Sequence, residues 1–586
     1  MNQADPRLLA DLDEAVRLRG AGRAAEAAAI LERLAAQFPT SPEIRNNLGN
    51  ALADLGRLAE ARRHLEAALA MAPDRVEAPA NLALVLDGLG EFALGLEHHR
   101  RAATLAPGHA AIQFNLGTAL ERARRYDEGE AAYRQALALA PDFAPAWHNL
   151  GNLLQETGRV EEADAAYRRA LALKPDFPQA RSSHLMNLHY LPDARPETIF
   201  AAHREWNDRH GRFAAQSFSN PPDPERRLRV GYLAAYYRDH PVGFLSEAAL
   251  SNHDPGAVAL FVYVNNRGDA AEARLRPHAA GWRDLSSLSD DQAAQHIRAD
   301  GIDILVDLAG HTRDHRLGVV AHRPAPIQLH WGAAYWNGTG LDAIDGLITD
   351  RIAVPPDHPP PLSETPLYLP GCYVCYRPPD DLPPVAPPPR AANGFPTFGC
   401  FNRIAKINDR VVALWGRLLR DCPKARLVLQ DRSFDDVAQQ ARIRARFAAQ
   451  GVEAARLDLL GALPHRAVLE AYGRVDVALD SFPWSGSIIT LESLLMGVPV
   501  VTWPADSIAG RHSASLLTAL GRPDWIASSA ETYCDLAAKL AESGSLRPAL
   551  RQALLNSSLC DANGFARNLE ALYRACWRRW CQAQSR

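Results

Sequence analysis

Five prolines, Pro39, Pro73, Pro107, Pro141 and Pro175, stand 34 residues apart, and that spacing limits what the first third of the chain can become. Asn47, Asn81, Asn115 and Asn149 keep the same step, followed by Leu48, Leu82, Leu116 and Leu150. Gly49, Gly117 and Gly151 come next, and Gly22, Gly56, Gly90 and Gly158 mark a turn later in the unit. The arrangement is a helix–turn–helix repeat: small residues let two helices approach closely, and the proline closes the unit.

The period and its residues are of tetratricopeptide type, and five copies cover residues 6–175. Stacked copies make an α-solenoid with a concave inner face, on which a residue recurring once per repeat forms a stripe. Asn47, Asn81, Asn115 and Asn149 therefore have two readings. Each can hold a hydrogen bond inside its own repeat, or the four can form an amide ladder that clamps the backbone of an extended acceptor peptide. Asp13 stands in that place in the first repeat, so a ladder begins at the second.

A chain of 586 residues holds more than one domain, and three is the expectation. A hydrophobic content of 47%, a charged content of 23% and a net charge of -4 describe a globular chain without the basic excess of a nucleic-acid binder. No stretch approaches the roughly 20 apolar residues of a membrane span. The start, MNQADPRLLADLDEAVRLRG, interleaves acids with its apolar residues, unlike a secretory leader. Cys372 and Cys375 are spaced C-x-x-C, but no second pair lies at zinc spacing. The eight cysteines read as reduced thiols of a cytoplasmic protein, with no metal and no cofactor expected.

Residues 176–226 read as linking helices around a proline-marked bend. From residue 227 strands and helices alternate: LRVGYLAAY, VALFVYV, IDILVDLAG and IQLHWG are β-rich, with amphipathic helices such as DDQAAQHIRADG between them. This is the pattern of a parallel sheet covered on both faces. A first Rossmann-like half spans 227–376, a proline-rich linker spans 377–391, and a second half spans 392–586 with FPTFGCFN, ARLVLQD, LDLLGAL, VDVALD and VPVVTW as strands. Two such halves enclose a cleft at their strand C-termini, where nucleotide chemistry is the default. Neither G-x-G-x-x-G nor G-x-x-x-x-G-K-[ST] occurs, which disfavours dinucleotide oxidoreductases and P-loop enzymes.

The stretch SFPWSGSIITLESLLMGVPVVT, residues 481–502, joins the strand VDVALD to a helix through small residues. Backbone N–H groups and the positive helix end around residues 485–487 suit an anion, so the turn reads as a phosphate site.

The repeats, followed by RVGYLAAYYRDHPVGFL, DILVDLAGHT, RPAPIQLHW, GCFNRIAKIN, LDSFPWSGSIITLESLLMGVPVVTW and SSLCDANGFARNLEALYRACWRRW, resemble the protein O-linked N-acetylglucosamine transferase family over nearly the whole chain. The resemblance implies a GT-B fold and an inverting, metal-independent glycosyltransferase, which passes a sugar from a nucleotide donor to Ser or Thr of a protein held by the repeats. It assigns Lys406 to the leaving phosphate and His240 to the sugar and acceptor hydroxyl, as proton acceptor or orienter. His311, in AGHT, is a further catalytic candidate expected to face the cleft. Donor-binding candidates are Arg403, Ser485, Gly486, Ser487, Thr490, Glu492 and His465. Arg323 and Trp331, in RPAPIQLHW, read as structural. The tail helix LEALYRACWRRW is expected to pack back across the two halves.

Four places depart from the family pattern. Ser487, Ile488 and Ile489 stand where relatives have a threonine run or His-Thr-Thr, and Val468 stands where they have a nucleotide-contacting histidine. The loop GAAYWNGTG (332–340) replaces Leu-Gly-Tyr-Pro-Gly, and Arg403 replaces a glutamine. These changes leave the donor open between UDP-N-acetylglucosamine and a cytidine-monophosphate-linked nonulosonic acid, the latter with flagellin as acceptor. A non-catalytic repeat adaptor and a nucleotide-sugar epimerase are the rival readings.

Overall fold

A computed structural model describes residues 6–212, 216–237, 241–265, 270–332, 337–542 and 547–585. The chain divides into two compact units, one ending at Leu153 and the other running from Leu154.

The repeats form five helix pairs: α1 (Pro6–Gly20) with α2 (Ala24–Gln37), α3 (Pro42–Asp54) with α4 (Leu58–Met71), α5 (Glu77–Leu89) with α6 (Phe92–Leu105), α7 (Ala110–Arg122) with α8 (Tyr126–Leu139), and α9 (Ala144–Glu156) with α10 (Val160–Leu173). The glycines of the motif are where the helices touch. A Cβ on Gly49 would lie 2.5 Å from Leu65 Cγ, and one on Gly117 would lie 2.6 Å from the Tyr133 ring. At the turn between helices, Gly22, Gly56, Gly90 and Gly158 have φ between 74° and 80°. The fourth repeat has Arg124 in that place and forces it to φ 58°, a left-handed conformation that a side chain disfavours.

The division falls inside the fifth repeat, so α10 belongs to the second unit, where Val160 joins the main apolar core. Two further helices, α11 (Pro178–Leu188) and α12 (Pro196–His210), follow. Asn187 at the end of α11 ties back to the Val160 carbonyl at 2.9 Å.

Among the described residues, twelve strands then form two all-parallel sheets. The first is β1 (Leu228–Ala234), β2 (Val258–Val264), β3 (Gly281–Asp284), β4 (Ile304–Asp307), β5 (Ile327–Trp331), β6 (Gly346–Thr349) and β7 (Thr365–Tyr368), in the order β3-β2-β1-β4-β5-β6-β7. The second is β8 (Thr397–Cys400), β9 (Arg426–Gln430), β10 (Leu457–Leu460), β11 (Val477–Leu479) and β12 (Val500–Val501), in the order β10-β9-β8-β11-β12. Burial on both faces explains the near-continuous apolar runs of β1, β2 and β8. The sequence reading left out β3, β6 and β7. All three have four residues, and β7 contains Pro366, which has no N–H to give to a ladder and which an edge strand tolerates because only one of its sides is paired.

One apolar core runs through both halves of the second unit, with residues of β1, β4 and β5 and residues of β9, β11 and β12 in a single cluster. The C-terminal helix Ala562–Gln584 packs back on the first half. Tyr573 and Tyr232 hydroxyls lie 2.9 Å apart, Phe565 stacks on Trp331 with centroids 5.6 Å apart, and Trp577 Nε1 donates to Asp223 O at 2.8 Å. Trp331 is fully buried and donates from Nε1 to Tyr373 O, and Arg323 binds Asp345 and the Ala343 carbonyl, both structural contacts. All eight cysteines are free thiols, and no helix among the described residues is long and apolar enough to cross a membrane.

Candidate functional site

Strand order locates the site. In each sheet the chain reverses its direction of winding between two adjacent strands, β1 and β4 in the first and β8 and β11 in the second. Loops leaving the C-termini of such a pair diverge and open a crevice. Lys406 follows β8, and the small-residue turn follows β11. In the first half the corresponding loops carry His240 and His311. His240 lies outside the described residues, as do residues 333–336 of the GAAYWNGTG loop.

The turn after β11 is organised by Asp480, which is 1% exposed. One of its oxygens accepts from the amides of Ser481 at 3.0 Å and Gly486 at 2.6 Å, and the other accepts from Thr502 Oγ1 at 2.7 Å. Burial raises its pKa, and these donors work against that shift. Ser485 N–H donates to Ala509 O, and Ser485 Oγ accepts from the Ser513 amide. Thr490 Oγ1 lies 2.8 Å from Ser513 Oγ. A Cβ on Gly486 would meet Thr490 Oγ1 at 2.6 Å, so the position takes only glycine.

Ser485, Gly486 and Thr490 thus shape the turn with the polar groups that the sequence reading offered to the donor. What remains for an anion is the start of the helix Ile488–Leu495, where Ser487, Ile488 and Ile489 are half-buried and the amides of Ile488 and Ile489 precede the first helical bonds, those of Thr490 and Leu491 to the Ser487 carbonyl. An anion held by backbone N–H groups does not need the missing threonine hydroxyls.

Lys406 reaches the same place from β8. Its Nζ donates to the Ser485 carbonyl at 2.8 Å and lies 5.0 Å from the centroid of the Trp484 ring, over its face. Burial pushes its pKa down to about 8, against the pull of the nearby Asp480 carboxylate, and Arg403 pushes the same way as burial.

Arg403 itself is exposed as a residue, yet its guanidinium is engaged. The carboxylate of Glu156, the last residue of α9, raises its pKa, with smaller contributions in the same direction from Tyr190 and Asp431. Glu156 also accepts from Arg432 Nε at 2.6 Å. The charge that Arg403 adds relative to glutamine is therefore countered inside the protein.

His465 and Glu492 come together. His465 Nε2 lies 2.6 Å from Glu492 Oε1, and the imidazole stacks on Phe244 of the first half with centroids 5.3 Å apart. Val468, one turn further along the His465–Ala471 helix, packs against the core and offers no polar group.

His311 departs from expectation. It is 1% exposed instead of open to the cleft. Nε2 lies 2.8 Å from Thr339 O and Nδ1 3.2 Å from Ser182 Oγ, and the ring contacts those of His203, Trp206 and His315. Burial, with those two histidines next to it, drives its pKa well below the ordinary value. A neutral imidazole with both nitrogens occupied secures α11 and α12 to the first sheet and is not free to move an acceptor proton.

The asparagines stand one per repeat on α3, α5, α7 and α9, each half-buried. Asn81 Nδ2 donates to Asn46 Oδ1 at 3.0 Å, and Asn149 Nδ2 to Thr118 Oγ1 at 3.4 Å, so these two bind the preceding repeat. The recorded bonds thus join neighbouring repeats instead of lying inside each one, and each asparagine keeps exposed surface.

Trp484 and Tyr190 were missed as site residues. A tryptophan inside a turn of otherwise small residues is a visible signal for the first. Nothing in the repeat or strand pattern marks the second, which reaches the site only through tertiary packing.

Comparison with known proteins agrees with this geometry. Glycosyl transferase family 41 matches residues 210–376 and 391–569, and tetratricopeptide repeat families match 18–85, 80–144 and 120–184. The protein named probable UDP-N-acetylglucosamine-peptide N-acetylglucosaminyltransferase SPINDLY of Arabidopsis thaliana is 36% identical over 417 residues, 69% of this chain and 46% of the plant protein. Its namesake from Oryza sativa subsp. japonica is 37% identical over 418 residues, 69% of this chain and 45% of the rice protein. The chain therefore spans less than half the length of these curated relatives. Among solved structures, a mutant of the O-GlcNAc transferase of Thermobaculum terrenum superposes with a TM-score of 0.76 at 34% identity, covering 93% of this chain and 98% of the other.

Proposed function

Since the chain belongs to glycosyl transferase family 41 and carries tetratricopeptide repeats, we propose that it is a protein O-glycosyltransferase using UDP-N-acetylglucosamine. The observation that carries this reading is the bond from Lys406 Nζ to the Ser485 carbonyl, in the turn that leads into the helix Ile488–Leu495 at the switch point of the second sheet. A lysine ammonium and a helix end together supply positive charge for a leaving diphosphate without a metal ion. The hydroxyl oxygen of an acceptor Ser or Thr attacks the anomeric carbon, the bond from that carbon to the phosphate oxygen breaks with inversion, and the nucleoside diphosphate leaves. His240, in the loop after β1, is the proposed acceptor of the hydroxyl proton. His465, Glu492 and the 487–489 segment form the donor pocket, and the repeats hold the acceptor protein through the asparagine stripe. A cytoplasmic location is part of the same proposal.

The field of the Glu156 carboxylate offsets part of the charge of Arg403, which weakens the case for an acidic sugar. A ligand that binds only the folded state raises the thermal midpoint, by an amount that grows with the logarithm of its excess over Kd. The expected result is a rise with UDP and UDP-N-acetylglucosamine and none with CMP or GDP, unchanged by a metal chelator. A rise with CMP alone points instead to a nonulosonic acid donor and a flagellin acceptor. A rise with GDP alone rejects uridine as the nucleoside, and no rise with any ligand supports the adaptor.

A further inference from the structure

Of the 64 lysines and arginines in the chain, only Lys174, Lys406, Lys424 and Lys539 are lysines. The one at the switch point has an unusual setting. Trp484, 5% exposed, presents its ring face to the Lys406 ammonium at 5.0 Å. Tyr190 stacks on the same indole with centroids 4.7 Å apart and planes at 29°, and His189 meets it edge-on at 5.4 Å. The indole N–H has no acceptor among the described residues, so the ring is held by packing, while the Trp484 carbonyl accepts from Ser481 Oγ at 2.9 Å.

Lys406 Nζ also donates to the Ser485 carbonyl at 2.8 Å, and four further groups face it. Asp480, at the end of β11, is the carboxylate, and it is shared among two amides and the Thr502 hydroxyl. Cys400 closes β8, Arg403 adds like charge from the same loop, and His512 stands at the start of the helix His512–Ala519. His512 is neutral: it is buried, and its Nδ1 lies 2.5 Å from the Tyr373 hydroxyl. An ammonium taken out of water beside a guanidinium gains from the negative face of an indole.

We propose that Trp484 is the positioning residue for Lys406: its ring face fixes the ammonium over the donor turn and stabilises the charged form, while Tyr190 holds the ring. This rests on the reading of Lys406 as the phosphate-binding lysine. It also makes that lysine depend on the segment behind the repeats, since Tyr190 directly follows α11 and His189.

The full-length protein carrying 13Cε-labelled lysine tests it without donor or turnover. Four lysine side-chain signals arise, and the one lost in Lys406→Met is Lys406. Its midpoint lies at about 8. Trp484→Phe, which keeps an aromatic face, leaves the midpoint within a few tenths of a unit. Trp484→Leu, which excludes water but has no π-face, lowers it by roughly half a unit or more. Tyr190→Leu, which loosens the ring without removing it, gives a smaller shift in the same direction, and carries the test by itself if Trp484→Leu does not fold. An unmoved midpoint in the folded leucine variants overturns the positioning role. A midpoint that moves in a protein whose melting no nucleotide shifts keeps the role and rejects the transferase reading instead.

Discussion

Nε2 of His465 and Oε1 of Glu492 lie 2.6 Å apart, with the carboxylate 5% exposed and the imidazole 39%. The pair joins the helix after the phosphate turn to the rim of the cleft, where Phe244 stacks on the imidazole from the other half. His465→Ala leaves a buried carboxylate without its partner, which costs on the order of 1–3 kcal/mol. Denaturant unfolding reads that loss. A donor titration of the same variant is expected to show roughly tenfold weaker binding, about 1.4 kcal/mol. Unchanged donor affinity removes the pair from the pocket.

Lys406→Met separates function from stability. The folded pKa of about 8 lies below the ordinary lysine value of 10.5. Below about pH 8 the fold therefore holds a charge that it disfavours, and the handicap disappears only as the pH rises through that window. A neutral methionine removes the handicap at pH 7, raising stability by roughly 1–3 kcal/mol while abolishing transfer. In the unaltered protein, kcat/KM for the donor is expected to fall above about pH 8 as the ammonium is lost. A variant that is both destabilised and active refutes both parts.

The buried histidines predict acid sensitivity. Burial lowers His189 to about 3 and His203 and His315 to about 4, from an ordinary value of 6.5. The unfolded chain then takes up protons first. Stability is fully present above about pH 6.5 and drains as the pH falls toward the folded values, by about 1.4 kcal/mol per unit for each histidine. Urea midpoints at pH 7.5, 6 and 5 check this, and a flat series contradicts it.

Arg124 has φ 58° where four other repeats place a glycine. Arg124→Gly is expected to stabilise the repeats by about 1 kcal/mol, because the left-handed penalty of a side chain exceeds the backbone entropy that glycine loses. Thermal unfolding measures it, and a lowered midpoint is the contrary result.

What the sequence reveals follows the range of the forces involved. Helix pairs are legible because Gly49 against Leu65 and the turn glycines act within one repeat, and nine of the twelve strands announce themselves by buried apolar runs such as VALFVYV. The short strands β3, β6 and β7 carry too little pattern. Lys406 and the turn after β11 are legible as a pair of loops leaving adjacent strands. The inward use of Ser485 and Gly486 is not, because it depends on Ser513 arriving from a later helix and on the Asp480 side chain turning back onto the loop that follows it. The enclosure of His311 by Ser182, 129 positions away, and the effect of Glu156 on Arg403 likewise depend on residues distant in the chain.

The most direct measurement is mass spectrometry of a Ser/Thr-containing acceptor protein incubated with UDP-N-acetylglucosamine and either the unaltered chain or Lys406→Met. Transfer of one N-acetylhexosamine to a hydroxyl, with release of UDP, by the unaltered chain alone is the expected result. UDP release and modification at the same rate with Lys406→Met, or neither with the unaltered chain, contradicts the assignment of the switch-point lysine to a glycosyl-transfer site.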